Sequence, residues 1–246
     1  MRIVLSVLFF PFTFLRFLLL ILVSVFFVLT VLIEDKISGM TRKYNFWSMR
    51  NWGKAMLLIL GIVVKRNKIG FPVKFIIMPN HRSYIDIFLL AAFSPSVFVA
   101  KEEIKSWPIL GQAVKAGRLI LVKRDDMKSL LATMNKIKQS IANNIPVTVF
   151  PEGTTTKGPE LKPFKNGTFK IAAELGVPVI PCAIHYYDKN NAWVGSDTFL
   201  GHFFRQFWIP WTTVQICFGR PIVHADFQVL KANIRSEIVV MLNAMV

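Results

Sequence analysis

Apolar and polar positions divide the chain into two regimes. Up to residue 64 the apolar stretches are long; beyond Lys65, short runs of strand length alternate with segments of helical period. Residues 3–15 are apolar apart from two hydroxyl residues, with Pro11 interrupting. After Arg16 comes "FLLLILVSVFFVLTVLI" (17–33), 17 residues without a charge. As a helix it spans about 25 Å, against a hydrocarbon core of about 30 Å. The apolar region is too long for a signal peptide and lacks a small-residue cleavage site, so it predicts a retained anchor. Arg16 between apolar halves marks an interface or a bend. Residues 38–64 read as a second amphipathic or partly inserted helix, with Trp47, Trp52 and several basic residues at head-group depth.

The second regime predicts strands over 73–78, 96–100, 119–122, 146–150, 177–187 and 213–218. It predicts helices over 84–93, 109–116, 128–143, 166–175 and 226–244. This alternation specifies an α/β fold with a mixed, largely buried sheet flanked by helices. The expected organisation is a membrane-anchoring helical segment over 1–64 and an α/β domain over 65–246. The stretch "FLGHFFRQFWIPW" (199–211), rich in aromatics around a Gly and a Pro, reads as core packing or as a surface dipping into the membrane interface.

Composition sharpens this picture. Hydrophobic residues make up 53% of the 246 and mean hydropathy is +0.47, while 30 Lys+Arg against 14 Asp+Glu give a net charge of +16. Together these point to a membrane-bound protein facing anionic head groups or phosphorylated substrates. No basic helix, zinc spacing or RNA-binding motif supports nucleic acid as the partner. Cys182 and Cys217 lie in strand-like apolar runs and read as buried free thiols. The four histidines lack metal-ligand spacing, so no metal is expected.

Candidate chemistry lies at the strand ends. In "NHRSYID" (80–86), His81 and Asp86 are five apart, a separation that turns two side chains away from each other in a helix. One reading makes Ser83 a helix N-cap and Asp86 its N3 partner in a capping box. The other uses the same helix start. His81 stays in the turn, Asp86 fixes its tautomer, and the free ring nitrogen serves as a general base beside helix N–H groups available to an oxyanion. "FPEGTTT" (150–156) ends a β-rich run in a tight turn. There Glu152 can accept from hydroxyls, and the threonines, Thr154 among them, can donate to phosphate. Lys101, Lys123 and Arg124 are further cations at or near strand ends.

In order, "NHRSYID" (80–86), "RLILVKR" (118–124), "FPEGTTT" (150–156) and "VPVIPCAI" (177–184) resemble the glycerolipid acyltransferase family, which includes 1-acylglycerol-3-phosphate acyltransferases. The resemblance covers residues 71–187. It implies that a lysophospholipid hydroxyl, most simply that of 1-acylglycerol-3-phosphate, is acylated to give phosphatidic acid. His81 would be the base and Asp86 its orienter. An acyl-CoA or acyl carrier protein thioester would be the co-substrate, with no other cofactor and no covalent acyl-enzyme. Arg124, Glu152 and Gly153 would bind the acceptor, joined by Thr154, Lys101 and Lys157, and Pro181 would shape the fourth block. A place at the inner membrane, catalytic domain on the cytoplasmic face, follows from cytosolic acyl donors. Two positions depart from the pattern: Thr155 stands where Arg is usual, and Arg118 where Gly is usual. Both lie on the acceptor side, which leaves a lyso-ornithine lipid or another lysolipid as alternative acceptor. A non-catalytic membrane-anchored lipid-binding protein is the rival outside enzymes. No Gly-x-Ser-x-Gly elbow supports a hydrolase.

Overall fold

The computed structural model describes residues 7–39, 42–94, 96–106, 119–123 and 125–245. The N-terminal apolar region forms one helix, α1 (Phe10–Ser38), with Pro11 in its first turn, where a missing N–H is harmless. Arg16 therefore marks no bend. It is 7% exposed and donates to the carbonyls of Phe207 (3.1 Å), Ile209 (2.6 Å) and Pro210. The buried residues of α1 are Thr13, Arg16, Leu20, Ser24 and Val31, which share one face. Thr13, Arg16 and Ser24 thus turn towards the protein, while Phe14, Leu15, Leu22, Phe26 and Leu29 turn outward.

Helix α2 (Arg42–Ile59) packs antiparallel on α1: Tyr44 lies beside Val31, and Trp52 Nε1 donates to Ser24 Oγ at 3.1 Å. Met56, Leu57 and Leu60 enter the core, so most of its apolar end packs in protein, while Leu58 stays exposed. Gly53 lets α2 approach α3 (Ile85–Phe93): a Cβ there would lie 2.6 Å from Ala92 N and 2.8 Å from Phe88 O. Gly53→Ala is therefore expected to cost ~1–3 kcal/mol and to lower the thermal unfolding midpoint. An unchanged midpoint would mean that the helices can separate freely.

Among the described residues seven strands form the sheet: β1 (Ile62–Arg66), β2 (Ile76–Pro79), β3 (Val97–Lys101), β4 (Ile120–Val122), β5 (Val147–Thr148), β6 (Val179–Tyr186) and β7 (Thr212–Phe218). Their order is β1-β7-β6-β2-β5-β3-β4. Strands β6, β2, β5, β3 and β4 are parallel, β7 is antiparallel to β6, and β1 follows β7, which makes the sheet mixed. One face packs against α2, α3 and α6 (Phe199–Gln206) through Met56, Leu89 and Phe203. The other packs against α4 (Met127–Ala142), α5 (Gly167–Glu174) and α7 (Phe227–Asn243) through Ile137, Phe169 and Ile234. Along β2 the alternation is direct: Ile77 joins the first cluster, Ile76 and Met78 the second.

Two elements differ from the sequence reading. Strand β1 is hidden in the run "AMLLILGIVV" because only Leu60 and Gly61 separate it from α2. A Cβ on Gly61 would lie 2.0 Å from the Pro210 carbonyl oxygen. The boundary expected at 64/65 falls inside β1, all five residues of which pair with β7. The aromatic stretch 199–211 contains α6, capped by Thr198, whose Oγ1 accepts from Gly201 N at 3.1 Å. Phe203 and Phe207 are core residues, and Phe204 meets Phe10 and Phe17 of α1, while Trp211 and Leu200 remain exposed. The helix expected over 109–116 lies outside the described residues.

Candidate active site

Strand β2 ends at Pro79 and the chain turns before α3. Asn80 fastens that turn to β6 by exchanging two hydrogen bonds with Ile184, Nδ2 to O at 3.0 Å and N to Oδ1 at 2.7 Å. His81 is thereby held at the C-terminal edge of the parallel strands, where open α/β sheets place ligands. Since α3 begins at Ile85, His81 and Asp86 do not share a helix. His81 Nδ1 lies 2.7 Å from Asp86 Oδ2. The same oxygen accepts from Arg82 N (2.7 Å) and Ser83 N (2.9 Å), and Oδ1 accepts from the Tyr186 hydroxyl at 2.6 Å. Asp86 is 0% exposed, and the His81 side chain 18%. A carboxylate facing Nδ1 puts the ring proton there and leaves Nε2 its lone pair. Among the described residues Nε2 has no partner. Phe150 stacks on the imidazole, centroids 3.8 Å apart, and restricts its rotation.

The capping box is half realised. Asp86 accepts the Ser83 backbone N–H as an N3 residue would, but Ser83 Oγ is buried without a partner among the described residues, and α3 has no side-chain cap. The Arg82 and Ser83 N–H groups are also unavailable to an oxyanion, because both point at Asp86.

Strand β5 lies beside β2 and delivers the second motif to the same edge. Glu152, expected above to bind the acceptor, is 3% exposed and turned to the backbone instead. Its Oε1 accepts from His81 N and its Oε2 from Lys162 N, each at 2.8 Å. It clamps the two motifs together, aided by Thr156 N donating to the His81 carbonyl at 2.9 Å. Arg82, to which the sequence pattern assigns no role, donates to Thr156 Oγ1, Pro159 O (3.1 Å) and Glu160 O (3.4 Å). Burial lowers the Arg82 pKa, and the Glu152 and Asp86 carboxylates act against that. Gly153 forms the turn, its N–H donating to the Phe150 carbonyl at 3.1 Å, and Thr154 and Lys157 are exposed beyond it.

The remaining expected cations sit farther along the edge. Lys101 ends β3, two strands from β2, and pairs with Glu103 at 2.9 Å. Lys123 follows β4, one strand beyond; Arg124 lies outside the described residues. On the other side of the turn, Tyr84 and His202 are joined at 3.0 Å, and His202 Nε2 donates to the Asn190 carbonyl at 2.9 Å. His202 Nδ1 is thus the acceptor of the Tyr84 hydroxyl, in keeping with the lowering of its pKa by burial.

The molecule is thus a mixed α/β protein with a histidine–carboxylate pair on the edge of its parallel strands. Residues 61–185 match the family model described as Acyltransferase, and the chain belongs to that family. It is 33% identical over 139 residues to a 1-acyl-sn-glycerol-3-phosphate acyltransferase of Neisseria gonorrhoeae, covering 56% of this chain and 54% of the relative. It is 32% identical over 139 residues to a lyso-ornithine lipid O-acyltransferase of Rhizobium meliloti, covering 56% and 47%. The matched part is thus about half the length of these curated relatives. The fold is that of the crystal structure of the 1-acyl-sn-glycerophosphate (LPA) acyltransferase, PlsC, from Thermotoga maritima. The TM-score is 0.77 at 21% identity, covering 100% of this chain and 98% of that one.

Proposed function

We propose that the protein transfers a fatty acyl group from an acyl thioester to the free hydroxyl of a lysophospholipid, with 1-acylglycerol-3-phosphate as acceptor and phosphatidic acid as product. The observation that carries this reading is the 2.7 Å His81–Asp86 contact with Nε2 left open at the sheet edge. Nε2 takes the acceptor hydroxyl proton as the oxygen attacks the thioester carbonyl. A C–O bond forms and the C–S bond breaks. The thiolate of CoA or acyl carrier protein leaves and takes the proton back from the imidazolium. Asp86 stabilises that imidazolium and keeps Nδ1 protonated. Lys101, Lys157 and Arg124, with the Gly153–Thr154 turn, supply the cations and donors for the acceptor phosphate. Glu152 contributes to acceptor binding through the turn that it holds in place.

Helix α1 is long and apolar enough to cross a membrane, with 17% of its apolar window buried in protein. Its contacts run from Phe10 on Phe204 to Val31 beside Tyr44, about 32 Å of helix lying along the protein. That geometry suits a helix seated in one leaflet with its outward apolar face in lipid. We place the enzyme on the cytoplasmic face of the inner membrane, where acyl thioesters are made.

The test is thiol release from an acyl thioester by the purified protein with a panel of lysolipids. Release is expected only with acceptor and fastest with lysophosphatidic acid. Thr155, where the family pattern has Arg, makes lyso-ornithine lipid the second acceptor to try. Faster release with it would reassign the substrate. Release without any acceptor, or none with any lysolipid, would overturn the reading.

A further inference from the structure

Tyr186 lies in the last position of β6, 100 residues from Asp86 in sequence, and no local pattern links them. Its ring is packed in the cluster that contains Leu89, Ile184 and Val214. Its hydroxyl is the donor in the 2.6 Å bond to Asp86 Oδ1. Burial first, and then Asp86, raise the Tyr186 pKa well above the ordinary phenol range, so the proton stays on this oxygen. The two carboxylate oxygens are therefore used differently. Oδ2 takes His81 Nδ1, Arg82 N and Ser83 N, while Oδ1 takes Tyr186.

From this division we infer that Tyr186 is a positioning residue of the His81–Asp86 pair: its hydroxyl draws charge to Oδ1 and so sets how strongly Oδ2 holds the His81 ring. The inference rests on the acyl-transfer reading for its link to rate, but not for its link to His81. Removing the hydroxyl leaves Oδ2 with all three of its donors, so the carboxylate keeps its place. What changes is its charge distribution, which shifts towards Oδ2 and favours the imidazolium. A donor stronger than phenol has the opposite effect. The charged and titratable groups near the pair are Arg82 from the turn, Glu152 from the loop after β5, Tyr84 at the start of α3, and Cys182 on β6. The change at 186 substitutes none of them.

The experiment compares two variants. In Tyr186→Phe, the pH midpoint of the His81 ring resonances, followed by NMR in detergent, is expected to rise by about half a unit to one unit, a 3- to 10-fold change in proton affinity. With 3-fluorotyrosine at 186, which keeps the ring and hydroxyl but donates more strongly, the midpoint is expected to fall. The acid limb of kcat for acceptor-dependent thiol release moves in the same direction in each case, with KM for the acceptor unchanged. A tyrosine that serves only as packing moves neither midpoint, and a folded Phe variant with the wild-type midpoint overturns the inference. If Tyr186→Phe fails to fold, the fluorotyrosine arm decides alone, and no fall in its midpoint is the negative result. Opposite shifts of the His81 midpoint without any transferase activity would sustain the coupling while sinking the acyl-transfer reading.

Discussion

His81→Ala is expected to lower acceptor-dependent thiol release by about 10²- to 10⁴-fold, the range that a positioned general base contributes. The loss falls on kcat, because the hydroxyl then has no proton acceptor while the cations of the sheet edge are intact. The fold is expected to survive. Asp86 retains the Arg82 and Ser83 N–H groups on Oδ2 and the Tyr186 hydroxyl on Oδ1, so no buried charge is stranded. Membrane association is expected to survive as well, since α1 packs against α2 and α6, away from the turn that carries His81. Co-sedimentation with anionic vesicles and turnover, measured on one preparation, separate the two properties. Retained turnover in the variant would remove His81 from the chemistry.

How much of this was legible in the sequence depended on distance along the chain. Segments with their own period declared themselves: Leu130, Met134, Ile137 and Ile141 recur at helical spacing and belong to α4. Strand β1 did not, because Ile62 to Val64 continue the apolar run of α2 without a change of composition, and only the close approach of Pro210 to Gly61 marks the break. Arg16 could be recognised as costly, but its solution lies in three carbonyls some 190 residues away. The site shows the same limit. His81 and Asp86 are close in sequence and could be paired by reasoning on where a helix starts. Glu152 drew attention as a carboxylate in a turn, yet a sequence cannot say that both its oxygens face backbone N–H groups. Tyr186 and Phe150 were invisible as site residues, since each acts through a contact made only when β6 or β5 lies beside β2. A phenol in a largely apolar strand was the one available sign, because a buried tyrosine hydroxyl needs a partner.

Asp86→Asn should reduce kcat by a comparable factor, on the order of 10²–10⁴, while leaving the protein folded. The asparagine carbonyl can take the place of Oδ2 and keep its three donors. Its NH₂ then meets Tyr186, whose hydroxyl turns to accept. Geometry is preserved and the negative charge is lost, so the imidazolium that forms when Nε2 takes a proton has no counter-charge beside it. In the flipped orientation the NH₂ faces His81 Nδ1, the ring must carry its proton on Nε2, and no base remains. Both orientations lead to a slow enzyme. Asp86→Ala is different: it leaves the Arg82 N–H, the Ser83 N–H and the Tyr186 hydroxyl buried without a partner, at ~1–3 kcal/mol each. Its thermal midpoint should therefore fall well below that of Asp86→Asn, and this contrast separates the structural share of the carboxylate from its charge. An Asp86→Asn protein retaining more than about a tenth of wild-type kcat, below the range expected for a positioned catalytic group, would show that the charge is dispensable and that Asp86 serves the start of α3 alone.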